Sequence, residues 1–227
     1  MTTTYRAGAP AAIGGSQRLR AFRLRQDAAG CESVQEIINI AATAEAFAVT
    51  LLGEALASVE RGELLLNPEV AQSLTAARAA EQAHLDVLLE AGAEPLTETF
   101  TVPDPALLTD PALFLETLVV LEEAFVAAYL AAAQEFAALG EAELAQLALQ
   151  IGAVEAEHRV GVRFYAIQRG TLSGVPNDVA FEKALFASVG EAAAALEELG
   201  FIGGDGAEIT YPGPGEIDST GVDNLQP

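Results

Sequence analysis

The chain has two histidines, and both stand in the same local pattern. Each follows a glutamate by three residues, in Glu81-Gln82-Ala83-His84 and in Glu155-Ala156-Glu157-His158. On a helix, residues three apart share one face, with their Cβ atoms about 5–6 Å apart. A carboxylate and an imidazole at that spacing can bind one metal ion or two adjacent ions. We therefore interpret both segments as metal-binding motifs.

Both motifs lie on apolar seams of predicted helices. The apolar residues around them recur at spacings of three and four, which is typical of a helix face that packs into a core. The two seams are Leu74, Ala77, Glu81, His84, Leu88 and Ala91, and Ile151, Glu155, His158, Val162 and Tyr165. We expect both motifs to point into a helical bundle, where an unpaired carboxylate is unfavourable.

Two other predicted helices each carry a single glutamate in such a seam. These residues are Glu45 and Glu122. Their apolar neighbours are Ile38, Ala41, Ala48 and Leu52, and Leu115, Leu118, Phe125 and Tyr129. A shift of one residue on the second of these helices would exchange Glu122 for Glu123, and this alternative stays open. The sequence thus predicts that six ionisable side chains converge inside an apolar bundle.

A pair of divalent metal ions would neutralise these six groups, because four carboxylates carry four negative charges and imidazoles bind metals in their neutral form. Mixed oxygen and nitrogen ligands suit iron or manganese better than zinc or calcium. We therefore predict two iron or two manganese ions per chain. The alternative is structural, since buried glutamates and histidines can also be held by hydrogen bonds to each other.

Four further side chains lie near the proposed ligands. Tyr129 and Tyr165 each follow a proposed ligand by seven residues on the same seam. We interpret them as core residues, with a redox-active or metal-proximal tyrosine as the alternative. For Arg159 and Arg163 we expect surface ion pairs, with support of a ligating carboxylate as the alternative.

The elements that must position these residues are four long helices. The sequence predicts them at about residues 32–58, 67–92, 110–139 and 141–169. Two of them begin with a capping residue followed by proline, in Asn67-Pro68 and Asp110-Pro111. Two connections are short and one is long, which indicates an all-α four-helix bundle with one crossover. Part of the crossover, Thr97 to Val102, alternates in polarity and is expected to be extended.

Four parts of the chain are predicted in all: a basic flexible arm (1–31), the bundle (32–170), a C-terminal helix region (171–202) and a Gly/Pro-rich tail (203–227). The additional helix is expected at about 178–199. The tail is expected to be disordered or to lie along the surface.

Composition excludes several classes of function. The 227 residues carry a net charge of −22, so we expect no binding to nucleic acid or to anionic membranes. The single cysteine, Cys31, excludes an intramolecular disulfide and any site built on several cysteines. No apolar signal region directly follows Arg25, since residues 26–30 are polar and short, so we expect a cytoplasmic protein, with loss of an export signal as the open alternative.

At the proposed ligands the sequence resembles the ferritin-like superfamily, which includes rubrerythrins, bacterioferritins and manganese catalases. The resemblance rests on the order Glu, Glu-x-x-His, Glu, Glu-x-x-His over about residues 32–170. More narrowly, residues 39–45, 121–129 and 155–159 resemble the ferritin-like domain of bacterial and plant desiccation-related proteins. The Cys-x-x-Cys module of rubrerythrins is absent from the sequence.

The resemblance implies a ferritin-like bundle with a di-metal centre, in which Glu81 and Glu155 bridge the metals while Glu45 and Glu122 are terminal ligands. It also implies chemistry with O₂, peroxide or Fe²⁺, as a ferroxidase or a peroxide-consuming enzyme. Two alternatives stay open: an oxidase of small substrates, and a structural or desiccation-protective bundle in which the metal only clamps the helices. We expect a homodimer, with the additional helix and the tail at the contact.

Overall fold

The computed structural model describes residues 32–215 and 217–227. Within these residues there are five α-helices, in agreement with the predicted all-α bundle followed by a C-terminal helix. They are α1 (Val34–Glu60), α2 (Pro68–Glu90), α3 (Pro111–Leu139), α4 (Ala142–Arg169) and α5 (Val189–Glu198). A 3₁₀ turn (Pro105–Leu108) and two short strands, β1 (Thr99–Val102) and β2 (Ala207–Thr210), complete the described part.

The first four helices form two antiparallel hairpins, α1–α2 and α3–α4, joined by the long crossover. Local signals fix where the helices begin and end. Ser33 and Glu36 form a capping box at the start of α1, and the Asp110 carboxylate accepts hydrogen bonds from two backbone amides at the start of α3. The helices α3 and α4 end at Gly140 (φ 87°) and Gly170 (φ 85°), in the left-handed conformation that glycine adopts most easily.

The crossover and the tail meet on one side of α1. Strands β1 and β2 pair in antiparallel register, with Phe100 opposite Ile209. Below them the ring of Phe47 lies 5.4 Å from Phe100 and 5.0 Å from Phe201, measured between ring centroids. This aromatic cluster belongs to the same buried core as the four long helices. Of the extended segment predicted at residues 97–102, residues 99–102 form strand β1.

The C-terminal helix is shorter than predicted. It begins at Val189 and not at Asp178, because residues 178–188 are tied to other parts of the fold. Asp178 and Glu182 pair with Arg159 of α4, and Ser188 caps the helix by accepting a hydrogen bond from the Glu191 amide. The tail contains β2, which the sequence analysis did not predict, since its pairing partner lies about a hundred residues away.

Two predictions concern the start of the chain and membranes. The arm predicted for residues 1–31, with Cys31, lies outside the described residues. Helix α1 is long and apolar enough to cross a membrane, but 67% of its most apolar window is buried within the structure. That burial is the pattern expected of a helix at the centre of a bundle.

Candidate metal centre

The structure brings together all six side chains that the sequence singled out, and it places them inside the four-helix bundle. Glu45 comes from α1 and Glu122 from α3, while α2 and α4 each contribute a Glu-x-x-His pair. The four carboxylates are almost fully buried: Glu155 is 0%, Glu81 1%, Glu45 3% and Glu122 4% exposed. The His84 and His158 side chains are 11% and 13% exposed. The four long helices thus place four carboxylates and two imidazoles in one apolar interior.

The six residues divide into two groups of four that share two members. One group is Glu45, Glu81, His84 and Glu155, and the other is Glu81, Glu122, Glu155 and His158. Within each group the potential ligand atoms lie within 4.8 Å of one another. Glu81 and Glu155 belong to both groups, so each could offer an oxygen to either of two neighbouring ions.

The imidazoles lie between these carboxylates. His84 Nδ1 is 3.2 Å from an oxygen of Glu81, 3.2 Å from one of Glu155 and 3.5 Å from one of Glu45. His158 Nδ1 is 2.9 Å from the other oxygen of Glu81 and 3.6 Å from the other oxygen of Glu155. Each nitrogen thus faces two or three carboxylates. His84 Nδ1 forms a hydrogen bond with Glu81, whereas His158 Nδ1 lies close to its carboxylates without the geometry of a hydrogen bond.

Several of these buried atoms have no hydrogen-bond partner, which is rare in folded proteins. They are Glu81 Oε1, Glu122 Oε2, both carboxylate oxygens of Glu155, and His158 Nδ1. Leaving such atoms unpaired costs about 1–3 kcal/mol each. Inward-facing atoms of oxygen and nitrogen are what a pair of metal ions requires, so the residues present fit such a pair.

Burial and mutual charge shift the pKa values of the cluster. Burial raises the pKa of Glu45 and of Glu122 well above the usual carboxyl value. Burial alone would lower the pKa of both histidines, but the facing carboxylates outweigh it and raise the pKa of His84 and His158 well above the usual imidazole value. Without metal, protons therefore carry part of the neutralising charge.

Glu81 behaves differently from the other two shifted carboxyls. Its burial favours the neutral form, but the charge and close approach of His158 and the contact with His84 outweigh that effect and lower its pKa. The ionised form of Glu81 is thus favoured in the metal-free cluster.

The two tyrosines on the seams have different surroundings. Tyr129 is buried, and its hydroxyl donates a hydrogen bond to the Glu45 carboxylate. Burial and the nearby negative charges raise the pKa of Tyr129 well above the usual phenol value. The hydroxyl of Tyr165 instead lies 2.7 Å from the hydroxyl of Ser73. Tyr129 alone of the two touches one of the six clustered residues, and it does so through Glu45.

The neighbours of the proposed ligands point away from the cluster. Glu123 pairs with Lys183, at 2.6 Å between Oε1 and Nζ. Glu157 is exposed. On the third helix it is therefore Glu122, and not Glu123, that the structure places in the cluster.

The prediction of surface ion pairs was wrong for Arg159, which is 2% exposed. Its guanidinium lies 2.7 Å from Asp178 and 3.6 Å from Glu182. Arg163 does form an ion pair, at 2.8 Å from Asp178, and it donates to the carbonyl of Pro176. The two arginines hold residues 175–182 against α4, which explains why that segment is not helical.

A cleft of about 940 Å³ reaches the cluster from the side of α2 and α4. His84, Glu122 and His158 are among the residues that line it, and residues 221–227 border it as well. The cleft was not predicted from the sequence. Four alanines of α2 line it, and they are too short to fill the space towards α4: Ala76, Ala77, Ala80 and Ala83.

Comparison with known proteins agrees with this geometry. The family description "ferritin-like domain" matches residues 33–168, which is more than half of the chain. The chain belongs to the ferritin-like domain family. No curated protein matches it, and no solved structure does.

Membership of the ferritin-like family agrees with the fold, since residues 33–168 span the four long helices and all six clustered side chains. The buried carboxylates and histidines of this ferritin-like protein are compatible with a di-metal site. The closer resemblance to desiccation-related proteins stays a prediction.

Proposed function

We propose that this ferritin-like protein binds two iron or manganese ions and uses them for redox chemistry on Fe²⁺ or peroxide. The observation that carries the proposal is the pair of four-residue groups that share Glu81 and Glu155. Their unpartnered oxygens and the unpartnered nitrogen of His158 support an occupant that accepts several donors at once. A pair of redox-active metals would supply the electron transfer to O₂ or peroxide.

The six clustered residues would have different roles in metal binding. Glu81 and Glu155 would hold both ions together, while Glu45 with His84 and Glu122 with His158 would complete the two sides. The Tyr129 hydroxyl would fix the orientation of the Glu45 carboxylate. Because all four carboxylates are buried, each charge they carry interacts more strongly with a cation than it would in water.

The charge of the whole protein supports a cationic substrate. A net charge of −22 attracts Fe²⁺ and raises its concentration near the surface. The cleft beside α2 and α4 would give Fe²⁺, O₂ or peroxide a route to His84, Glu122 and His158. We also propose that the protein is a cytoplasmic homodimer that binds neither nucleic acid nor membranes.

The proposal is tested by elemental analysis of protein purified without chelators. We expect close to two iron or manganese ions per chain, falling to near zero in the Glu122→Ala, Glu155→Ala double variant. The matched control is the Glu123→Ala, Glu157→Ala double variant, which removes two carboxylates outside the cluster from the same helices and should keep the metal. Unchanged metal content in the first variant would contradict the ligand assignment.

A second measurement distinguishes a catalytic role of the metal from a structural role. Peroxide consumption and Fe²⁺ oxidation are followed with metal-loaded protein and with the double variant. We expect turnover that depends on bound metal. Bound metal that raises the melting temperature but gives no turnover of either substrate would instead favour a structural role of the metal, in which it joins the four helices.

A further inference from the structure

The cleft between α2 and α4 is larger than Fe²⁺, O₂ or peroxide requires. Its volume of about 940 Å³ lies near the upper end of the range for sites that bind small organic molecules. Its inner end is formed by three residues of the proposed metal centre, His84, Glu122 and His158. A molecule in the cleft would therefore have one end beside the metal centre.

The side chains that line the cleft determine which kind of molecule it can bind. Apolar side chains from all four long helices line the cleft, among them Leu52, Leu74, Leu118, Ile151 and Val162. Of the described residues that line it, none is a lysine or an arginine. Apart from the two histidines, an anionic ligand would thus meet no basic side chain in the lining, and burial of an unpaired charge is costly.

The charged groups of the lining are all acidic apart from the histidines. Glu122 and Glu157 come from the helices, and Asp223 comes from the tail. Together with the net charge of −22, they would repel a carboxylate or a phosphate. The walls therefore favour a molecule without negative charge.

The cleft has unfilled space beside Gly161. Gly161 lines the cleft on α4, and outside the neighbouring backbone of that helix a Cβ atom added there would meet no heavy atom within 4 Å. At the border of the cleft the tail places Val222 and Leu225, both half-buried. The cleft thus combines apolar groups on its walls with unfilled space at Gly161.

We propose that the cleft binds a neutral, apolar small molecule, one end of which lies beside His84, Glu122 and His158. Binding itself needs only the cleft. The further statement that this molecule is a substrate rests on the proposed function, because it requires a working metal centre. The proposal names the substrate class that this centre would receive in addition to Fe²⁺, O₂ or peroxide.

The experiment measures binding of the neutral apolar dye Nile red to the full chain by fluorescence titration. The test variant is Gly161→Trp, which fills the cleft from a position where a side chain meets no obstacle. The control is Ala153→Trp, which adds the same side chain at an exposed position of the same helix. We expect dye affinity to fall at least 10-fold in Gly161→Trp and to stay unchanged in Ala153→Trp. Helix content by circular dichroism should be the same in both.

Competition tests the charge preference. Dodecanol should displace the dye at a concentration at least 10-fold lower than dodecanoate, because both have the same chain length but only dodecanoate is negatively charged. Equal affinity of wild-type protein and Gly161→Trp for the dye, or stronger displacement by dodecanoate, would overturn the proposal. So would a wild-type dimer that Gly161→Trp converts to monomers, since the cleft would then be a contact between two copies of the chain.

Failure of this proposal can be told apart from failure of the proposed function. Metal content is measured in the same samples, and Gly161→Trp should retain the two metal ions because no ligand is changed. A protein that binds metal but shows no cleft-dependent dye binding would refute only the cleft proposal. A protein that binds dye in the cleft but never holds metal would refute only the metal centre.

Discussion

Glu122 combines deep burial with an unpartnered oxygen, and that combination supports its proposed role as a metal ligand. Its side chain is 4% exposed, and Oε2 lacks a hydrogen-bond partner. A glutamate kept for stability would be expected to have its oxygens paired. The carboxyl group of Glu122 should therefore lower the stability of the metal-free fold.

We predict that Glu122→Leu stabilises the metal-free protein while it abolishes metal binding at its group. Replacing an unpaired buried polar group by an apolar one of similar size should raise the free energy of unfolding by about 1–3 kcal/mol. The measurement is urea denaturation of chelator-treated protein, with Glu123→Leu as the outward-facing control. A loss of stability in Glu122→Leu would show that the carboxyl has a structural role.

Tyr129 is the clearest candidate for a residue that acts through a ligand. Its hydroxyl donates to Glu45, and loss of such a supporting hydrogen bond typically lowers metal affinity about 10-fold or more. We predict that decrease for Tyr129→Phe, measured by metal titration against a competing chelator. Tyr165→Phe removes a hydroxyl that meets Ser73 instead, and it should leave the affinity unchanged. Equal effects of the two variants would contradict the assigned role.

Protonation of the cluster predicts a pH dependence of metal binding. In the metal-free protein burial raises the pKa of Glu45 and Glu122, and the facing carboxylates overcome burial to raise the pKa of His84 and His158. Metal ions bind these groups only without their protons. Affinity should therefore fall as the pH is lowered from about 8 to 6, with proton release on binding. Calorimetry in buffers of different ionisation enthalpy measures that release, and an affinity independent of pH would contradict the account.

At the scale of elements, the helix starts of α2 and α3 have the same sequence pattern but different capping. Asp110 accepts hydrogen bonds from the amides of Ala112 and Leu113, whereas the side chain of Asn67 makes no capping bond. Both helices have proline at their first position. The two starts therefore allow a matched comparison.

We predict that Asp110→Ala lowers the free energy of unfolding by about 1 kcal/mol, the usual value for a lost cap. Asn67→Ala should change it by less than about half as much, because no side-chain cap is lost. Both variants are compared by urea denaturation of metal-free protein, so that metal binding does not enter. A larger effect of Asn67→Ala would mean that the capping described here does not determine helix stability.

Elements whose limits depend on local signals were predictable from the sequence. Cap-and-proline pairs such as Asp110-Pro111 and end glycines such as Gly140 marked the long helices, because caps and left-handed glycines act within one turn. The start of α5 has a local signal that the prediction did not use, Ser188 three residues before Glu191. The non-helical path of residues 178–187 was not predictable, because it depends on the contacts of Asp178 and Glu182 with Arg159 of α4.

The six clustered residues were predictable for a different reason. Helical periodicity places four glutamates on inward helix faces, where an acidic side chain without a partner is unfavourable. They are Glu45, Glu81, Glu122 and Glu155. The cleft was not predictable, because an alanine such as Ala77 belongs to an ordinary apolar seam in the sequence. Only the packing of α2 against α4 shows that these short side chains leave space between the helices.

At the scale of the whole molecule, an acidic surface surrounds an interior that carries its own acids. The net charge of −22 favours the approach of cations over that of anions, and the buried groups would then bind the cations that arrive. A metal that binds the folded chain and not the unfolded one also stabilises the fold, by about 4 kcal/mol at a thousandfold excess over Kd. The fold and the metal centre should therefore depend on each other.

A crystal of metal-loaded protein, with data collected across the iron and manganese absorption edges, tests the central claim most directly. We predict two anomalous peaks per chain, one within about 2.0–2.4 Å of ligand atoms of Glu45, Glu81, His84 and Glu155, the other equally close to Glu81, Glu122, Glu155 and His158. Peaks only at surface carboxylates, or an interior in which the six side chains bond to each other with no ion among them, would contradict the account.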